Sequence, residues 1–261
     1  MKIALGIEYD GSVFNGWQRQ NHGHGVQEDV EKALSIVANH DVKVICAGRT
    51  DTGVHGLGQV IHFETMSQRS EHSWVSGANA NLPHSVTVHW AKVVKDDFHA
   101  RFSALSRTYQ YLILDQPVRP AVLSKKVTWD YRKLDVSRMQ QAIPYLIGKH
   151  DFSSFRAVAC QASSPERTIS LLEIRREGKF ICIDIQANAF LQHMVRNIAG
   201  VLMTVGCGEK EPLWVQQVLE FHDRTRGGVT APPHGLYFKS VEYPEEFEIP
   251  AKTGTGLFSS T

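Results

Sequence analysis

Few cysteines, no long apolar run and almost no net charge mark this 261-residue chain, and each absence excludes a class of protein. The four cysteines, at positions 46, 160, 182 and 207, form no Cys-x-x-Cys pair, so we expect neither a zinc knuckle nor a dense disulfide framework. Lys and Arg number 28 against 27 Asp and Glu, and the net charge of +1 excludes a bulk polycation. The longest apolar stretch, 198–207, is too short and too rich in glycine to span a bilayer. No signal-peptide hydrophobic region fits the first residues, so we expect a cytoplasmic protein with no membrane partner.

The usual motifs for nucleotides, acyl transfer and metals are also missing. The chain has no Gly-x-x-x-x-Gly-Lys-Ser/Thr loop, no Gly-x-Gly-x-x-Gly turn and no Gly-x-Ser-x-Gly elbow. None of its 13 histidines forms His-Glu-x-x-His, and His22 and His24 lie in a glycine-rich loop without a cysteine pair. We therefore expect no cofactor and no metal site.

The hydrophobic periodicity predicts an α+β fold. The first half reads, in order, as a strand, a helix, two strands, a helix and a strand, at residues 3–9, 26–37, 42–47, 59–64, 70–79 and 85–94. This β-α-β-β-α-β order is the split βαβ, or ferredoxin-like, arrangement. The second half is similar, with strands at 107–114, 126–131, 167–176, 179–187 and 235–243 and helices at 135–147, 190–206 and 212–221.

We therefore predict two ferredoxin-like halves that share a mixed, mainly antiparallel sheet. The expected division is an N-terminal half at 1–106, a C-terminal half at 107–243 and a loose acidic tail at 244–261. Charge is also uneven along the chain: residues 98–138 hold eight Lys or Arg against three Asp or Glu, whereas the chain beyond Lys239 is acidic. The basic segment fits either an anionic partner or an ordinary solvated face.

Residues 47–65, AGRTDTGVHGLGQVIHFET, form the least ordinary stretch. It places one carboxylate, that of Asp51, on a turn between two core strands. One interpretation is an Asx turn, in which Asp51 only caps the backbone. The other is an ionised functional carboxylate whose pKa the neighbouring Arg49 would lower. Asp51-Thr52-Gly53 also matches the aspartic-peptidase triplet, but that chemistry needs two such aspartates, and this chain could supply them only as a dimer.

Two further segments carry unusual polar residues. In the helix at 190–206, Gln192, His193, Arg196 and Asn197 lie opposite the apolar face without the Lys–Glu pairs typical of a solvated face, and Arg196 could bind a carboxylate or a phosphate. In FHARFSALSRTYQYLI, residues 98–113, basic and aromatic side chains alternate in the way that suits base stacking beside phosphate contacts. Arg101 and Arg107 are its candidate phosphate ligands, and either Tyr109 or Tyr111 could instead be a core residue.

These segments together resemble the TruA-type tRNA pseudouridine synthases, which isomerise uridines 38–40 of the tRNA anticodon arm. The matching blocks are YDGSVFNGWQ (9–18), VQEDVEKAL (26–34), AGRTDTGVH (47–55), NANLP (79–83), FHARFSALSRTYQY (98–111), DFSSFRA (151–157), NAFLQHMVRNIAG (188–200) and TAPPHGLYF (230–238). Gly56 is a small departure, because alanine is more usual there, and it should at most loosen the turn.

The resemblance implies a role for each candidate residue. Asp51 would be the catalytic aspartate, as nucleophile or base, Tyr109 would pack on the target uracil, and Arg196 would pair with the carboxylate. Arg49 would help to hold the uridine out of its stack. The family further suggests a homodimer that binds tRNA in a basic cleft, without a cofactor or metal. The alternatives are a non-catalytic RNA-binding module and a dimeric aspartic peptidase.

Overall fold

The computed structural model describes residues 1–250, and the chain divides into two compact units. The first unit contains Met1–Arg107 together with the chain from Tyr237 onward, and the second contains Thr108–Leu236. Within the described 250 residues, no helix is long and apolar enough to cross a membrane.

The first unit is built on a three-stranded antiparallel core. Its elements are β1 (Lys2–Tyr9), α1 (Val26–Ala38), β2 (Ile45–Cys46), β3 (His55–Glu64), α2 (Glu71–Asn81) and β4 (Val86–Val94). Strand β1 pairs antiparallel with β3 on one side and with β4 on the other, and β2 pairs with β3. The predicted β-α-β-β-α-β order is confirmed, and α1 and α2 each bury apolar side chains.

The second unit is built on an antiparallel hairpin. Its elements are β5 (Ser106–Asp115), β6 (Thr128–Asp130), α3 (Val136–Gln141), β7 (Gly148–Asp151), β8 (Glu166–Glu177), β9 (Phe180–Ala187), α4 (Met194–Gly206) and α5 (Trp214–Phe221). The strand order is β5-β9-β8-β7, and β6 pairs parallel with β5. Gly178 has φ 63°, a value that glycine adopts without strain, and it turns the β8–β9 hairpin.

The closing strand β10 (Leu236–Glu242) belongs with the first unit. Tyr237 and Phe238 pair in parallel with His55 and Gly56 of β3. Together with the β5–β6 pair, this parallel contact makes the pairing mixed but mostly antiparallel, so the predicted fold class is confirmed.

Several predicted elements are shorter than their sequence pattern suggests, and the cause is visible for three of them. In the predicted strand 42–47, only Ile45–Cys46 pairs, because the backbone N–H groups of Val42 and Val44 donate to side chains of α1 (2.9 and 3.1 Å) rather than to a strand. The helix predicted at 135–147 ends at Gln141 and continues as a 3-10 turn containing Pro144, which lacks an N–H donor. The helix predicted from residue 190 begins at Met194, since His193 has a left-handed φ of 63°.

The predicted loose tail lies outside the described residues from position 251 onward. In its described part, Glu245–Phe247 form a 3-10 turn and Phe247 is buried with its ring 5.2 Å from that of Phe98. This segment of the tail therefore contributes to the core of the first unit.

A neutral histidine links β3 to the segment that follows β4. His62 is buried, and its Nδ1 accepts the backbone N–H of Ala100 at 3.1 Å. Burial, reinforced by the nearby His99 and Lys2, lowers the pKa of His62 to about 4. Because a protonated ring cannot accept this hydrogen bond, the contact requires the neutral form.

We expect this contact to make the fold sensitive to mild acid. Since the pKa of His62 is lower in the folded chain than the ordinary value near 6.5, the contribution is complete above pH ~6.5 and is lost as pH falls toward 4. The free energy of unfolding from urea titrations should fall by roughly 1–3 kcal/mol more in the native chain than in His62→Asn over that interval. The exposed His72→Asn is the control, and equal slopes for the native chain and His62→Asn would contradict the assignment.

Candidate active site

The turn that carries Asp51 is fixed at its start by a buried amide. The turn leaves β2 at Ala47, whose N–H donates to the carbonyl of Val60 (2.8 Å). Gln59 of β3 is completely buried; its side chain donates to the carbonyl of Gly48 (2.6 Å) and accepts the N–H of the same residue (3.4 Å). The first two residues of the turn are therefore bonded to β3 before the chain reaches the polar positions.

Thr50, immediately before Asp51, is anchored in the core. Its hydroxyl is hydrogen-bonded to the hydroxyl of Tyr9 (2.8 Å), and its carbonyl accepts the N–H of Trp17 (3.0 Å). Burial raises the pKa of Tyr9, so its phenol stays protonated. The chain at 16–17 can lie this close to Thr50 because residue 16 is a glycine, with φ 94°. A Cβ there would lie 2.7 Å from the Thr50 carbonyl oxygen.

Asp51 itself opens a tight turn. Its carbonyl accepts the N–H of Val54 (3.1 Å), and Gly53 supplies the positive φ, 79°, that a type II turn needs at its third residue. Asp51 is half-buried, whereas Thr50 is buried and Thr52 is exposed. The backbone on both sides of the carboxylate is thus held by hydrogen bonds.

Arg49 lies at the surface and is not the ion-pair partner that the sequence suggested for Asp51. Within residues 1–250 its guanidinium forms no salt bridge with any carboxylate, because Thr50 turns into the core and leaves Arg49 exposed.

The far end of the turn is closed by His55. This residue is buried, its ring stacks on Tyr237 of β10 (4.6 Å, 18°), and its Nδ1 accepts the N–H of Gly11 (3.1 Å). Gly56 lies in β3 rather than in the turn, and a Cβ there would meet the Tyr9 ring at 2.4 Å. The glycine therefore makes room for Tyr9 from its place in β3.

The basic-aromatic segment divides between the surface and the interior. Arg101 is exposed. Arg107 is half-buried, and its guanidinium donates to the carbonyls of Ala47 (3.3 Å), Ala104 (3.2 Å) and Arg101. Arg107 thereby ties this segment to the start of the Asp51 turn.

In the second unit, the structure separates the two candidate tyrosines. Tyr111 is fully buried, and its hydroxyl bonds to Thr128 (2.5 Å) and donates to the Pro232 carbonyl (2.8 Å), so it is a core residue. Tyr109 retains 8% exposure and lies edge-on to the ring of Phe190, with centroids 5.0 Å apart. Of the two, Tyr109 is the one that retains some exposure.

Arg196 lies in the first turn of α4 and is oriented by residue 231. Its Nε donates to the carbonyl of Ala231 (2.9 Å), and its own carbonyl accepts the N–H of Ala231 (3.1 Å). The chain at 229–231 can lie close to α4 because Gly200, one turn further along the helix, has no Cβ. An added Cβ there would lie 1.8 Å from the Val229 carbonyl oxygen. The plane of the guanidinium is therefore set by the chain at 229–231.

The chain at 229–231 is itself held in place by a buried polar network. Asn197 is 1% exposed; it donates to the carbonyl of Phe155 (2.6 Å) and accepts from Thr230 (2.7 Å) and Arg224 (3.0 Å). Arg224 also donates to the carbonyl of Gly228 (2.9 Å). Asn197 is thus a core residue rather than part of a solvated face.

Four residues of this machinery have no sequence signal that points to their role: Gln59, Tyr9, Arg224 and Thr230. Each is distant along the chain from the group that it supports, so only the tertiary structure reveals it. In residues 1–250, no group of three His, Cys, Asp or Glu side chains could hold a metal ion, and His24 bonds to the single carboxylate of Asp29 (2.8 Å).

A mixed α+β fold with an aspartate on a braced turn between two strands is the arrangement that the resemblance to pseudouridine synthases implies. The family model described as tRNA pseudouridine synthase matches residues 6–103 and 142–244. The chain belongs to this family, whose members are isomerases that convert uridine to pseudouridine. Membership rejects the aspartic-peptidase interpretation of Asp51-Thr52-Gly53.

The relatives are similar along almost the whole chain. The tRNA pseudouridine synthase A of Coxiella burnetii is 56% identical over 249 residues, which is 95% of each chain. That of Alcanivorax borkumensis is 56% identical over 95% of this chain and 94% of its own, and that of Pseudomonas aeruginosa over 96% and 88%. Among solved structures, a chain of a Cbf5-Nop10-Gar1 complex matches with a TM-score of 0.38 at 10% identity. The match covers 90% of this chain and 48% of that one.

We expect Gln59→Leu to disturb the Asp51 turn. The substitution removes both bonds to Gly48 and leaves a backbone carbonyl without its partner, which should lower the free energy of unfolding by about 1–3 kcal/mol. Urea titration measures that loss, and pseudouridine formation in tRNA should fall further than the unfolded fraction explains.

Gln217→Leu, at an exposed position of α5, is the matched control and should leave stability and activity unchanged. Native turnover in Gln59→Leu would show that the clamp formed by the two Gln59–Gly48 hydrogen bonds is dispensable for the turn.

Proposed function

We propose that this chain converts uridine to pseudouridine at positions 38, 39 and 40 of the tRNA anticodon stem-loop, with Asp51 as the catalytic carboxylate. The observation that carries the proposal is the Asp51 turn, which is bonded to other groups of the first unit through the backbone of Gly48, the hydroxyl of Thr50 and the ring of His55. Such bracing suits a residue that must keep one orientation while the substrate changes. Family membership supports the tRNA substrate.

The reaction is an isomerisation, so its atoms balance within the nucleotide. The N1–C1′ bond breaks, the uracil rotates, C5 joins C1′, and the proton leaves C5 while N1 gains one. Asp51 could attack C1′, attack C6 or remove the C2′ proton, and each role requires the ionised carboxylate.

The other proposed roles follow from the chemistry of the flipped base. Taking a stem uridine out of its stack costs a few kcal/mol, which protein contacts must offset. We assign Tyr109 to stacking on the uracil, Arg196 to pairing with Asp51, and Arg49 to holding the uridine outside the helix. What supports Arg196 is its fixed guanidinium plane, since a bidentate partner keeps a carboxylate charged inside a closed pocket.

Arg101 and Arg107 are proposed to help bind tRNA in different ways. Arg101 is exposed and suits a phosphate contact. The phosphate contact of Arg107 stays a prediction, and its three bonds to carbonyls support a role in bracing the segment that presents Arg101.

We also propose that the enzyme works in the cytoplasm as a homodimer, as the resemblance implies. Sedimentation of the purified chain tests the dimer: the expected mass is twice 29.3 kDa. A single species of monomer mass at micromolar concentration would contradict it.

Replacing Asp51 should abolish turnover and spare binding. With tRNA tritiated at uridine C5, the native chain should release tritium, whereas Asp51→Asn and Asp51→Ala should release it at least ~10²–10⁴-fold more slowly. Their tRNA dissociation constants should stay within about twofold, because the carboxylate acts on the reacting ring rather than on the phosphates. Arg196→Lys, which keeps the charge but loses the planar fork, should lower the release rate more than the affinity.

Native-like release from Asp51→Asn would contradict the assignment. Binding of tRNA by the native chain with no release would instead identify a non-catalytic RNA-binding module.

A further inference from the structure

One aromatic side chain of the first unit is exposed where its neighbour is buried. Phe102 is 75% exposed, whereas Phe98, four residues earlier, is completely buried against Phe247 and Tyr243. A single exposed apolar residue is ordinary. Phe102 differs because a second ring and a cation are stacked on it and because its backbone is held.

The stacked groups are His99 and Arg101. The imidazole of His99 lies parallel to the Phe102 ring at 4.3 Å and 28°, and the guanidinium carbon of Arg101 is 5.6 Å from the same ring centroid. Both contacts fall within the distances of aromatic stacking and cation–π interaction. We name these three side chains the Phe102 platform.

Hydrogen bonds fix the backbone of the platform. The Nδ1 of His99 accepts the N–H groups of Arg101 (3.2 Å) and Phe102 (3.1 Å), and the carbonyl of His99 accepts the N–H of Ser103 (2.9 Å). Arg107 donates to the carbonyl of Arg101 from the other side. The ordering of this loop is therefore complete before any ligand arrives, which removes a cost that binding would otherwise meet.

The charge of the platform is positive. The guanidinium of Arg101 is exposed and makes no hydrogen bond or salt bridge with the rest of the chain up to residue 250. A ring that is largely exposed beside an exposed cation suits one nucleotide, with its base stacked on the ring and its phosphate on the guanidinium.

We propose that the Phe102 platform stacks an unpaired base of the bound tRNA, other than the reacting uridine, while Arg101 neutralises the adjacent phosphate. The inference rests on the proposed function, which supplies tRNA as the ligand. It adds a contact with the tRNA to those proposed above for the flipped uridine.

The test measures tRNA dissociation constants over a series of salt concentrations in the Asp51→Asn background, where the substrate is not consumed. Phe102→Ala should weaken binding about tenfold, the effect of one lost base stack, without changing the slope of log K against log salt. Phe102→Leu should weaken it as well, because leucine keeps the apolar surface but loses the π-face, and Phe102→Trp should stay within about twofold of the parent. Arg101→Ala should weaken binding and reduce the salt slope by about one.

Leu105→Ala is the matched control, since Leu105 is 59% exposed three residues away and should leave binding unchanged. Binding by Phe102→Ala within twofold of the parent would overturn the platform, as would native affinity in Phe102→Leu.

Sedimentation of Phe102→Ala supplies a further outcome: loss of a dimer would assign the ring to an interface between copies and overturn the RNA contact. Tritium release by the native chain is scored separately, so failure of the proposed function and failure of the platform are distinguishable.

Discussion

The two hydrogen bonds between the Gln59 side chain and the backbone of Gly48 are the constraint on which the geometry of the Asp51 turn depends. A carboxylate that reacts with a ribose or a pyrimidine must be aimed within a few tenths of an ångström, and a surface turn alone does not supply that precision. The clamp transfers the rigidity of β3 to the turn, and the Tyr9–Thr50 bond extends it to the residue before Asp51. The half-buried Asp51 is thus held in place by residues that are themselves buried.

In the second unit, helix α4 and the segment at 229–231 together fix the side chain of Arg196. Arg196 has a long, flexible side chain, and fixing it costs conformational entropy. The close approach at Gly200 brings the chain at 229–231 within reach of the guanidinium, and Asn197 and Arg224 keep that chain in place. In both units, therefore, a close backbone approach at a glycine, Gly16 or Gly200, is combined with the hydrogen bonds of a buried amide, Gln59 or Asn197. Together they fix the segment beside the proposed site residue.

The sequence predicted the elements better than it predicted the contacts. The strand and helix order of the first unit followed from periodicities of two and 3.6 residues, which are local properties. Strand 42–47 was overextended because Glu31 and Ser35 of α1 accept the N–H groups that a neighbouring strand would have taken. At the candidate site, motifs indicated Asp51 and Arg196, but the bonds of Gln59 and Arg224 join residues 11 and 27 positions away. No local pattern contains such pairings.

The return of β10 to the first unit has a consequence for how the molecule is made. The ring of Tyr237 supports His55, and Phe247 packs beside Phe98, so residues from the last tenth of the chain complete a unit that begins at Met1. During synthesis, residues 1–107 emerge from the ribosome well before the chain from Tyr237 onward has been made. The first unit therefore stays incomplete until synthesis is nearly finished, and His55 has no Tyr237 ring to stack on until then.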